Sequence, residues 1–187
     1  SGALYANTTG NYNTAIGGGA LDANTTASSN VAVGYASLTT NTTGEANTAL
    51  GSYALDANST GNYNVALGNN ALGANTTASS NTAIGQASLF YTSTGAEYVG
   101  VGRDSLHFKT TGASNVAVGN NVLKTNTTGA ENTVVGKDAM HDNTTGTSNT
   151  VVGKSALGNN TTASNNVAIG HGAMFDNTTG TSNTAVG

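Results

Sequence analysis

Glycine recurs at every seventeenth residue, from Gly17 through Gly34 and Gly51 to Gly187, eleven times without a slip. So short a unit cannot bury an apolar face alone and must lay it on its neighbours, which dictates a stacked architecture. Numbering each repeat 1 to 17 and ending on that glycine gives x-x-(Ala/Ser)-Leu-x-x-Asn-Thr-Thr-(Gly/Ala)-x-x-Asn-(Thr/Val)-Ala-(Val/Ile)-Gly, visible in residues 120–136. A longer period lies on top. Residues 1–17 resemble 52–68 and residues 18–34 resemble 69–85, as a duplicated three-repeat block would.

The unit is too short for a helix–turn–helix, which needs about thirty residues. Asn, Thr and Gly are also weak helix formers. Asn and Thr together make 59 of the 187 residues, and there is no Pro, Cys or Trp. Position 16 is always Val, Ile or Leu and position 14 is Thr or Val, so in an extended segment both face one way. We read them as inward. Position 4 is Leu nine times and Met twice (Met140, Met174), a second inward column. Between the two runs sits Asn-Thr-Thr-Gly, whose Asn and Gly suit a tight turn. The pattern predicts an all-β fold: a β-solenoid, or parallel β-roll, of eleven seventeen-residue coils with two short strands each. It is one domain over residues 1–187, and a chain in step with its period at both ends points to a piece of a longer array.

Side-chain chemistry sorts by column. All fourteen Asp, Glu, Lys and Arg residues fall at positions 1, 2, 5, 6, 7, 11 or 12, as do nine of the ten aromatics. Those columns are expected outside. Asn7, Asn24, Asn41, Asn58, Asn75, Asn126, Asn143, Asn160 and Asn177 share position 7. Asn13, Asn30, Asn47 and Asn64 share position 13. Amides stacked this way can bond along the column. Position 7 also reads Asn-x-Ser/Thr, an acceptor pattern for N-glycans in a secretory pathway, although the turn alone accounts for it.

Position 15 is a small residue, mostly Ala, that never takes a charge. Facing opposite to positions 14 and 16, it suggests a second apolar face covered by a neighbouring chain; a coil too flat for anything larger is the other explanation. Residues 86–119 are irregular. Tyr98 replaces a column Asn, Thr92 and Lys109 replace turn Asn residues, and Phe90, Tyr91, His107 and Phe108 crowd positions 5 and 6. Together Phe90, Tyr91, Tyr98, His107 and Phe108 form a candidate contact patch, or a decayed repeat.

The motifs Asn30-Val31-Ala32-Val33-Gly34, Asn115-Val116-Ala117-Val118-Gly119 and Asn166-Val167-Ala168-Ile169-Gly170 resemble the head repeats of trimeric autotransporter adhesins. The full unit is similar to repeats in phage tail-fibre shafts. The resemblance implies a left-handed β-roll with three chains side by side, at a cell surface or on a virion, extracellular in either case, and a host-surface protein or glycan as partner. The chain departs from the adhesin pattern in its longer repeat and its Asn-Thr-Thr-Gly turn, and it has no heptad stalk.

Other functions fit less well. Charged residues are 7% of the chain and the net charge is −4, so no basic stripe for nucleic acid can form. No apolar run reaches the roughly 18 residues of a membrane span. His107 and His141 share a column two coils apart, and His171 lies in another, so neither a zinc site nor a catalytic constellation is expected. Gly17-Gly18-Gly19 lacks the alternating Gly/Asp pattern of calcium-binding rolls. No cofactor is expected. The expectation is a non-catalytic shaft, a homotrimer with itself as partner. A self-assembling filament is the alternative. An ice-binding protein is less favoured, because an inward position 14 would leave no regular outward Thr row.

Overall fold

A computed structural model describes residues 2–187. It contains eleven three-residue strands at every seventeenth residue, from β1 (Thr14–Ile16) and β2 (Val31–Val33) to β11 (Thr184–Val186). They form one parallel sheet in sequence order. Register is one full repeat throughout: Thr14 pairs with Val31, Ala15 with Ala32 and Ile16 with Val33, and the last pair matches Val167 to Thr184. At about 4.8 Å per strand the stack is a rod about 50 Å long. The β-solenoid is as the period predicts.

The second strand of each coil is not there. Positions 3 to 6 are tight turns, and the position-4 residue is left-handed, with φ of 49° at Leu38, 52° at Leu55 and 45° at Met140. Coil-to-coil bonding nevertheless continues through this stretch: the N–H of Leu21 donates to Ser37 O at 3.0 Å and that of Leu38 to Ala54 O at 3.0 Å. The left-handed turn lets the peptide N–H point along the rod while the Leu side chain points into it. Such a conformation costs about 1–2 kcal/mol at a non-glycine residue. Full burial of the Leu, worth roughly 1.5–3 kcal/mol, offsets it.

The glycine of the period has its own cause. Gly34 sits at φ 138°, and a Cβ added there would lie 2.6 Å from the carbonyl carbon and oxygen of Gly51. The same approach recurs at Gly51 against Gly68. Each glycine lets one coil's backbone rest on the next, so any side chain would split the stack.

The strand faces are the reverse of the sequence expectation. Ala32, Ala49 and Ala66 at position 15 are buried, while Leu50 and Leu67 at position 16 are 44% and 40% exposed. Position 14 is also on the outer face, with Val31 and Val65 exposed. The interior explains the phase. Seventeen residues enclose a flat circuit already filled by Leu at position 4 and Asn at 7 and 13, leaving depth for an Ala methyl, or a Val at Val134 and Val151. The small column at position 15 is therefore the protein's own core and calls for no covering chain. The face left outside is the one with positions 14 and 16.

Candidate functional site

The two Asn columns are interior, and their amides join the coils. Asn24 Nδ2 donates to Asn7 Oδ1 at 2.9 Å, Asn58 to Asn41 at 2.9 Å and Asn75 to Asn58 at 2.9 Å. In the other column the backbone N–H of Asn30 donates to Asn13 Oδ1, that of Asn47 to Asn30 and that of Asn64 to Asn47, each at 2.9 Å. The columns meet on a shared acceptor. Gly44 O receives Asn41 Nδ2 at 2.9 Å and Asn30 Nδ2 at 2.9 Å. Asn126, Asn143 and Asn160 are buried in the same way, with Asn160 Nδ2 donating to Asn143 Oδ1, and of the position-7 asparagines only Asn7 and Asn177 are partly exposed. The glycan-acceptor reading of position 7 fails for the buried members, because the amide nitrogen to be modified is enclosed and already donating.

Coils 6 and 7 interrupt this arrangement. Thr92 brings no amide to donate, and Asn75 Oδ1 and Thr92 Oγ1 are without hydrogen-bond partners among the described residues. Tyr98 is buried rather than part of a surface patch. Its N–H keeps the column bond to Asn81 Oδ1 at 3.1 Å, and its hydroxyl donates to Thr111 O at 2.6 Å. Lys109 is also buried, against the expectation that charge marks an outer column. Its ammonium donates to Gly129 O and lies 5.6 Å from the Tyr98 ring centroid. Burial lowers the Lys109 pKa to about 8 and raises that of Tyr98 above its ordinary value.

The remaining patch residues do come together outside. Phe90 stacks on His107 at 5.5 Å, Tyr91 on Phe108 at 5.5 Å, and His107 meets Phe108 edge-on at 4.6 Å. His107 Nδ1 is 3.1 Å from Ala87 O and 3.3 Å from Asp104 Oδ1, and Lys124 Nζ is 3.8 Å from that carboxylate. Phe90 and His107 are half-buried in this cluster, while Tyr91 and Phe108 stay exposed. The imidazole of His141 is likewise held by a neighbour, with its Nδ1 2.6 Å from Asp142 Oδ1. No three metal-ligating side chains converge among the described residues.

The largest feature left is the outer sheet face. Positions 14 and 16 present two parallel columns over all eleven strands, one aliphatic throughout (Ile16, Val33, Leu50, Leu67 and onward), the other a mixture of Thr and Val. Neither holds a charge, so nothing on the face opposes an apolar partner. The sequence reading missed this face. Thr at position 14 in six of eleven coils was the available signal, since a thin core has no use for a hydroxyl there. No protein-family model, curated protein or solved structure matches the chain.

Proposed function

We propose that the protein is a non-catalytic shaft segment of an extracellular fibre, cellular or viral, in which copies of the chain cover one another's outer sheet face. One observation supports this reading: an uncharged sheet face about 50 Å long, with a continuous aliphatic column on which Ile16, Leu50, Leu67, Val135, Val152 and Ile169 stand exposed. Covering both columns would remove on the order of 1,000 Å² from each chain, within the range of stable interfaces. A threefold bundle is the arrangement implied by the likeness to adhesin-head repeats. In it the three sheets form a shared apolar centre and the variable columns become the outer ribs. A fibre of this kind holds a tip at a distance and can adhere along its sides.

Sedimentation equilibrium with negative-stain imaging tests the proposal. Discrete short rods of three times the chain mass are expected; a monomer at micromolar concentration overturns it, and long concentration-dependent fibres support the filament alternative instead.

The outward placement of Thr14, Thr48, Thr82, Thr133, Thr150 and Thr184 favours a second reading, that the face binds ice. Hydroxyls and methyls on a regular flat sheet are the chemistry such a surface needs. Both readings claim the same residues, so a thermal-hysteresis measurement on the sedimented species separates them. Activity in a monomer supports ice binding, and none in a trimer removes it.

A further inference from the structure

Away from the sheet face, the position-5 column has a missing tooth. His141 and Phe175 stand two coils apart, with Gly158 between them. The Phe175 ring leans back over the gap, so a Cβ on Gly158 would lie 2.6 Å from Phe175 Cε2. What remains is an open groove of about 320 Å³, lined also by Asp138, Asp142, Ser155 and Asn159. Gly73 and Phe90 repeat the motif, with the Phe90 ring leaning back over the glycine and His107 of the following coil stacked on that ring. We propose that the groove at Gly158 is a binding site for one pyranose residue of a neutral glycan.

Three features of the lining select that ligand. Phe175 forms an apolar wall of the groove, matching the C–H face of a pyranose ring. Around it stand planar carboxylate and amide groups and a hydroxyl, whose paired polar atoms match neighbouring sugar hydroxyls. Third, both carboxylates already have polar neighbours beside them. Asp142 is paired with His141 at 2.6 Å, and Asp138 accepts from Asn121 Nδ2 at 3.1 Å with Lys137 Nζ at 3.8 Å. A groove so lined offers hydrogen bonds, and lacks the converging ligands a divalent cation needs.

The size is at the lower end for small-molecule sites, and its openness fits the weak single-site binding that a fibre multiplies by presenting many copies. The inference deepens the adhesive part of the proposed function and rests on it. It uses none of the residues at positions 14 and 16, so the groove stays open when the sheet is covered.

Saturation-transfer NMR of the assembled protein with methyl α-mannopyranoside, methyl β-galactopyranoside and methyl α-glucopyranoside, each at millimolar concentration, tests it. At least one should receive saturation, strongest at the ring protons of its apolar face. Phe175→Ala should lower the signal about tenfold, as should Asp142→Ala, while Tyr12→Ala at a distant exposed tyrosine leaves it unchanged. Circular dichroism and sedimentation of each variant confirm that the rod persists. No saturation with any glycoside, or a signal indifferent to both groove variants, overturns the site. Sedimentation of the unmodified protein reports separately on the shaft, so the two failures are distinguishable.

Discussion

At the scale of single residues, the buried polar side chains decide which coils hold together. Asn58 donates to Asn41 Oδ1 at 2.9 Å and Gly61 O at 3.0 Å, and accepts from Asn75 Nδ2 at 2.9 Å. Asn58→Ala removes all three bonds and strands buried groups on both neighbours, at about 1–3 kcal/mol for each group left unsatisfied. The variant should melt well below the parent in a circular-dichroism scan; an unchanged melt would mean that the column contributes nothing. Lys109 gives the opposite case. With its folded pKa near 8 and an ordinary value near 10.4 in the unfolded chain, the unfolded state binds the extra proton between those limits. Stability therefore rises with pH across that window, and is lowest, and flat, below it. Above about pH 10 Tyr98 reverses the trend, since its raised pKa keeps it neutral when folded while the unfolded phenol ionises. The melting temperature should climb from pH 7 to pH 9.5. Lys109→Met should abolish the climb without orphaning Gly129 O, which keeps Asn115 Nδ2 at 3.0 Å and Asn126 Nδ2 at 3.3 Å.

At the scale of the element, the three-residue strand has two possible phases, and the sequence alone favours the wrong one. Aliphatic residues at positions 14 and 16 flank an alanine, and hydrophobicity points the larger pair inward. Only the enclosed depth, already taken by Leu38 or Leu55 and the Asn columns, turns the strand over. A single variant pair tests the phase. Ala66→Asp puts a carboxylate at a fully buried position, with an expected loss of several kcal/mol and an unfolded central stack. Leu67→Asp should leave the coil folded by circular dichroism yet disperse the assembly in sedimentation; both variants folding alike would refute the reversed phase. What was legible in the sequence were the features repeated identically in each coil: the period, the inward Leu, the amide columns. The left-handed Leu, Tyr and Ser residues at positions 4 and 12, such as Leu21, Tyr63 and Ser80, were not legible, because their intrinsic preference opposes the conformation that stacking imposes. Nor was the interior placement of Tyr98 and Lys109, whose residue types elsewhere mark the surface. The groove at Gly158 left a fainter trace, a glycine between the larger side chains of His141 and Phe175.

At the scale of the molecule, contacts run only between adjacent coils, each strand pairing with the one before and the one after. Stability is then close to a sum of coil and interface contributions, and any whole period is dispensable while no fraction of one is. Deleting residues 52–68 joins Gly51 to Asn69 and brings Thr48–Leu50 against Thr82–Ile84, with Leu38 under Leu72, Asn41 under Asn75 and Asn47 under Asn81. Every column re-forms, one strand spacing shorter. The deletion should leave circular dichroism per residue unchanged and lower the melting temperature by only a few degrees, a shift of about one kcal/mol in a chain of this size. Deleting residues 52–59 instead sets the position-4 leucine of the next coil beside an Asn column and lifts the glycine contact between Gly51 and Gly68, so the stack should break there and the two halves should melt separately. Were both deletions equally destructive, the coils would not be interchangeable, and the additive rod on which the shaft reading depends would have to be given up.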